Sequence, residues 1–141
     1  MCSSDPRVPV PLSGAECADG WRRFRVAERQ AGQFHLQLLQ DGDWFSLYRF
    51  ELHQYGESDC ELGHFYSHRH PAATFVNNLV VARLLPERIL SLRNREFRII
   101  TAAGEELTTI ADDCQLHTLL TETCGLEVTP EEALRLWNRP G

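Results

Sequence analysis

The chain has 141 residues, 43% of them hydrophobic and 24% charged, which excludes a disordered polymer and gives room for one domain or two small ones. Its formal net charge is −6 with six neutral His, which argues against a non-specific nucleic-acid binder, whose affinity comes largely from neutralising phosphates. All fourteen basic residues are Arg, and two short clusters, Arg22-Arg23-Phe24-Arg25 and Arg93-Asn94-Arg95, read as solvated strand faces or turns.

The first twenty residues read as an extended connector, because Pro6, Pro9 and Pro11 resist helix. They do not read as a signal peptide, and no run in the chain approaches the length of a membrane span. Residues 21–28 alternate, with Phe24 and Val26 on one face and Arg23 and Arg25 on the other. Ala31 and Gly32 make a turn, and Phe34, Leu36 and Leu38 share one face of residues 34–39. Asp41 and Gly42 predict a tight hairpin into the aromatic segment 43–52. Three strands joined by short turns predict an antiparallel meander, one side of a barrel or sandwich.

The hydrophobic period then changes. A boundary falls near residues 53–57, and a helix is expected over 57–69, with Ser58 as cap and Glu61 completing a capping box. Leu62, Phe65 and Tyr66 share a helical face there, and Pro71 ends the helix. A second β set is expected at 79–85, 88–92 and 96–101, punctuated by Pro86, Asn94 and Gly104. Residues 109–123 predict the best helix, with Asp112 and Asp113 near its start, an apolar face of Leu116, Leu119 and Leu120, and Gly125 just past its end. Thr129 caps a last helix opened by Pro130, with Ala133, Leu134 and Trp137 as its buried side.

Three chemical constellations are weighed against plain structural roles. His64, His68 and His70 span HxxxHxH, and Cys60 lies one turn earlier, a pattern able to ligate zinc on a helix but with no CxxC or HExxH to complete it. Cys60, near a helix start, is the candidate nucleophile, whereas Cys114 and Cys124 read as small core residues. The five Cys are widely spaced and odd in number, which fits reduced thiols and a cytoplasmic location better than a disulfide framework. No Gly-rich phosphate loop occurs, and Ser3 and Ser4 alone offer an anion backbone N–H groups.

The order of features then resembles a known family. An aromatic strand WFSLYRFEL precedes an acidic helix start, then come Tyr66, His70-Pro71, Phe75, the segment LVVARL, the Leu92–Arg95 turn and a leucine-rich helix ending near Gly125. This resembles the C-terminal half of the bacterial arylamine N-acetyltransferases, over about residues 6–138. The family stretch runs roughly N-x-Y-x-S-T-H-P-x-S-x-F. Tyr66, His70, Pro71 and Phe75 match it, while His64, His68, Arg69 and Ala73 replace its Asn, Ser, Thr and Ser.

The resemblance implies an α+β chain: an antiparallel β-barrel portion with its connector over 1–56, then an α/β lid with C-terminal helices over 57–141. It implies acetyl transfer from acetyl-CoA to an arylamine, arylhydroxylamine or hydrazine through a Cys–His–Asp triad and an acetyl-cysteine. None of the three triad residues carries over, since neither Cys2, Cys17, Cys60, Asp5 nor His35 has the family's flanking residues. The segment 5–12 resembles the residues just past the family's D-V-G-F-G aspartate motif. The expectation is therefore a C-terminal fragment, inactive alone, with a missing N-terminal half as partner. Phe75 and His70 are expected to shape the substrate pocket, and Ser3 and Ser4 to reach the CoA diphosphate. Acetyl-CoA is the implied co-substrate, with no tightly bound cofactor, no metal, and no nucleic-acid or membrane partner. The alternative reading is a small metal-binding or interaction module centred on His64, His68 and His70.

Overall fold

A computed structural model describes residues 5–139 as two compact units, Met1–Tyr55 and Gly56–Gly141. The first is an antiparallel sheet of β1 (Cys17–Asp19), β2 (Arg22–Gln30), β3 (Gln33–Gln40) and β4 (Asp43–Glu51), in that order across the sheet. The β3–β4 hairpin closes as its dipeptide predicts. Asp41 and Gly42 both take positive φ (52° and 88°), and Gln40 pairs with Asp43. Phe24, Val26 and Leu36 are buried, as alternation requires.

Alternation then breaks. Leu36 pairs with Tyr48 but Gln37 with Ser46, a bulge at Leu47. Gln37 is fully buried, its amide accepting from Arg25 Nε (2.8 Å) and donating to Ser46 Oγ (3.3 Å). The expected barrel portion is an open sheet rather than a closed barrel: β1 and β4 are its two edges.

The connector is tied down by one carboxylate. Asp19 is 3% exposed and accepts from the Arg7 backbone N–H (2.9 Å), Arg7 Nε (2.9 Å) and Nη2 (2.6 Å), and Arg22 Nη2 (2.9 Å). Arg22 also donates to the Asp5 carbonyl (3.1 Å). The Arg7 hydrogen bonds hold the Asp19 carboxyl below the usual carboxylate range, against the opposing pull of burial. Residues 17–19, expected to be loop, therefore form a short edge strand behind this clamp.

The second unit begins with α1 (Glu57–Arg69) and the single turn α2 (Thr74–Asn77). A second antiparallel sheet follows, β5 (Val80–Leu84), β6 (Arg88–Arg93), β7 (Glu96–Thr101) and β8 (Gly104–Thr109), in sequence order. Next come α3 (Asp113–Thr118), a π-helical turn (Leu119–Thr123) and α4 (Pro130–Trp137). Leu90, Leu92 and Phe97 from the sheet meet Ile110, Leu116, Leu120 and Cys124 in one buried cluster, with Leu136 and Trp137 packed against it. Gly125 (φ 71°) reverses the chain, letting Leu126 N–H reach the Leu120 carbonyl (2.9 Å).

Four expectations are corrected here. The helix expected from Thr109 starts at Asp113, capped by Asp112 Oδ1 accepting from Gln115 N (2.7 Å), because 104–109 pair with β7 as a fourth strand. The α1 cap is Gly56, not Ser58: the Asp59 carboxylate accepts from Gly56 N (2.9 Å). Leu62, Phe65 and Tyr66 do share one face, but all three are exposed, by 68%, 52% and 52%. On α4, Ala133 is fully buried, yet Leu134 faces outward and Leu136 takes its expected place in the core. The Thr129 cap does form, with Glu132 N donating to Thr129 Oγ1 (3.2 Å) and the Glu132 carboxylate accepting from Thr129 N (2.9 Å).

Candidate functional site

The histidine stretch divides into a helix end and a turn. His70 closes α1 in an extended conformation (φ −67°, ψ 130°), as a residue before Pro must. Its carbonyl accepts from Ala73 N (2.9 Å), and its Nδ1 accepts from Ala72 N (3.1 Å). The His70 ring stacks on Tyr66 at 4.5 Å. This turn swings the chain into α2, and Asn77 Nδ2 straps it by donating to the Pro71 and Ala73 carbonyls. Ala73 is buried beneath. Phe75 is 56% exposed at the start of α2.

The histidines are not arranged as ligands. The His64 and His68 rings lie 4.2 Å apart. His68 Nδ1 donates to the His64 carbonyl, which fixes the tautomer, and Nε2 accepts from Arg69 Nε (3.2 Å). Both ring nitrogens of His68 are thereby engaged, and His70 Nδ1 is spent on the turn. Among the described residues, three or more such donor groups lie within 4.8 Å of one another at Asp112, Asp113 and Cys114, a set that includes no histidine. The metal-centred alternative therefore finds no support.

The thiols are equally unlike an activated nucleophile. Cys17 Sγ donates to the Pro9 and Ala18 carbonyls (3.7 and 3.9 Å). Cys124 is buried, and burial pushes its thiol up, the reverse of what nucleophilic attack needs. Cys60 is exposed, and so is Cys114, which helical spacing alone assigns to the core. Ser3 and Ser4 lie outside the described residues.

A feature that sequence reasoning missed is a cleft of about 670 Å³ beside the C-terminal end of α4. It lies between Asn77–Leu79, the β6–β7 turn and residues 136–139. Asn94 holds that turn in the left-handed region (φ 54°). Its Oδ1 accepts from Leu79 N (3.0 Å) and its Nδ2 donates to Asn78 Oδ1 (3.0 Å). The Arg95 guanidinium lies 3.9 Å over the Trp137 ring, and Arg139 Nη2 donates to the Val76 carbonyl (2.6 Å). The Arg93-Asn94-Arg95 signal is visible in the sequence, but nothing in its spacing announces Trp137 or Arg139 as neighbours.

Comparison with known proteins gives this framework a family. The Escherichia coli (strain K12) arylamine N-acetyltransferase is 31% identical over 105 residues, which cover 65% of this chain and 37% of that protein. The fold matches that of the Mycobacterium marinum arylamine N-acetyltransferase, solved in complex with CoA, at a TM-score of 0.86 and 19% identity, covering 99% of this chain and 53% of that one. The M. tuberculosis arylamine N-acetyltransferase matches at 0.81 and 24% identity, covering 95% and 52%. The chain thus spans about half the length of these solved relatives. A family model described as N-acetyltransferase matches residues 3–133, nearly all of the sequence, and the chain belongs to that N-acetyltransferase family.

Proposed function

We propose that this chain forms the acceptor-pocket wall and part of the acyl-carrier contact of an acetyl-CoA-dependent arylamine N-acetyltransferase. Residues 1–56 are read as the second part of its barrel domain and 57–141 as its lid. The observation that carries the reading is Phe75. This large aromatic side chain is more than half exposed, yet its backbone is held by the His70–Ala73 turn and the Asn77 strap. An aromatic displayed on a fixed turn suits stacking against an arylamine ring and excluding water from an acetyl intermediate. His70 sets the angle of that display through its place at the turn. Ser3 and Ser4 are proposed to meet the CoA diphosphate.

Acetyl transfer in two steps needs a thiolate, a base to generate it and a carboxylate to orient the base. No described cysteine supplies the first, so we place all three groups outside the described residues, on a complementary Cys-bearing helical domain. CoA enters as co-substrate, with no resident cofactor. The four described cysteines are free, which supports the cytoplasmic placement, and no described helix is long and apolar enough to cross a membrane.

The test measures CoA release from acetyl-CoA in the presence of an arylamine. The chain alone should give no turnover, and adding a separately made Cys-bearing helical domain should restore it. In the restored assay, Phe75→Ala should raise the arylamine KM by about tenfold or more, the loss of one stacked aromatic wall. Turnover by the chain alone that disappears in Cys60→Ala would overturn the reading.

A further inference from the structure

The cleft beside Trp137 gathers more positive charge than packing requires. Arg93, Arg95 and Arg139 all line it, on a chain whose net charge is −6. Among the described residues none of the three is ion-paired with a carboxylate. Glu96, the one acid in the lining, is already engaged by Arg98 Nη2 (3.1 Å). Three guanidinium groups therefore face one carboxylate that is spoken for.

The groups around them are fixed in advance. Asn94 spends its side-chain amide on Leu79 and Asn78, so the turn carrying Arg93 and Arg95 cannot drift. The Arg95 plane rests on Trp137, and Arg139 is anchored on the Val76 carbonyl. Such preorganisation lowers the ordering cost of binding. The volume, about 670 Å³, lies within the usual range for small-molecule sites. Unpaired guanidiniums in a polar cleft select an anion, and their planar donor forks match phosphoryl oxygens.

We propose that this cleft binds a phosphate-bearing small molecule, with Arg93 and Arg95 holding the phosphoryl oxygens and Arg139 closing the rim. The cleft is distinct from the proposed acceptor pocket, since neither Phe75 nor His70 lines it. The phosphoryl group has two possible sources, CoA itself or a free phosphorylated metabolite, and one experiment separates them.

The isotope-labelled chain is titrated with pyrophosphate at constant ionic strength, following the Trp137 indole and Asn94 side-chain amide resonances. Saturable shifts are expected, with Kd of about 1 mM or tighter. The double variant Arg93→Gln/Arg95→Gln should weaken binding by about tenfold or more, the effect of losing charge-assisted hydrogen bonds. Arg135→Gln, which removes an exposed guanidinium paired with Glu131 outside this cleft, should leave binding unchanged. Thermal melting controls for folding. Should the double variant melt early, Arg93→Gln alone carries the test, because the Arg93 side chain has no partner among the described residues. CoA that displaces pyrophosphate and moves the same resonances assigns the phosphoryl group to the acyl carrier. CoA that leaves them in place assigns it to a free metabolite. Shifts reproduced by chloride at equal ionic strength, or saturable binding that survives both Gln substitutions, would overturn the proposal.

Discussion

Asp19 shows how much of the first unit hangs on a single side chain. Its carboxylate accepts from two guanidiniums and a backbone N–H, and the side chains of Asp19 and Arg22 are only 1% and 5% exposed. Asp19→Asn keeps the shape but removes the carboxylate charge that Arg7 and Arg22 both bond to. Removing one partner of a buried pair costs about 3–5 kcal/mol, and the lower end is expected here because Arg7 is partly solvated. The loss should appear in urea unfolding of the fluorotryptophan-labelled chain, through Trp21 and Trp44 rather than Trp137. The pH dependence is set by the sign of the shift. The folded carboxyl lies below its unfolded value of 3.8, so its contribution is complete above about pH 4 and fades as pH falls through the folded value. The gap between wild type and Asp19→Asn should therefore narrow below pH 4 and stay constant from pH 5 to 7. A gap that stays constant down to pH 2 would show that Asp19 acts by packing alone.

At the scale of elements, the contrast between α1 and α3 separates pattern from burial. Both carry an apolar face at helical spacing. Leu116 on α3 is fully buried, and Leu116→Ala should cost about 2–5 kcal/mol, read as a fall in the unfolding midpoint reported by Trp137. Phe65 on α1 is 52% exposed, and Phe65→Ser should move that midpoint by no more than about 0.5 kcal/mol. The sequence tells where such a face lies, because 3.6-residue spacing fixes which side chains align. It cannot tell what covers the face, because that depends on a partner surface far away in sequence or on another molecule. The same limit explains β8, where Gly104–Thr109 is exposed at all six residues and shows no alternation to read. It also explains Gln37, which is buried beside Leu36 on β3 opposite the Leu47 bulge, where alternation gives no polar core position. The signals at Pro71, Gly125 and the Thr129 cap are legible because they act locally, whereas the starts of α1 and α3 are not where the sequence puts them. The cleft is illegible for the opposite reason: Arg93 and Arg139 lie 46 positions apart and meet only because α4 packs back beside the β6–β7 turn.

At the scale of the whole molecule, the chain matches about half the length of its solved relatives and carries uncovered apolar surface in both units. Phe45 and Tyr48 are exposed by 59% and 50% on β4, an edge strand, and Leu62, Phe65 and Tyr66 are exposed on α1. Edge strands with aromatic side chains and free backbone groups invite pairing with another chain. The β8 edge of the second sheet is better guarded, because it carries Glu105 and Glu106. The chain alone should therefore associate as concentration rises, with β4 as the point of contact. Light scattering after size exclusion should show the apparent mass increasing with loading. Phe45→Glu/Tyr48→Glu should return it toward 16.2 kDa, because two carboxylates on one edge repel a second copy. If the proposed complementary domain occupies the uncovered surface, adding it should suppress association over the same range in which it restores turnover. Suppression with no turnover would leave the docking surface intact and place the fault in the chemistry. Turnover with undiminished association would mean that the uncovered faces belong to another partner. A monomer at every loading would remove the edge-strand argument altogether.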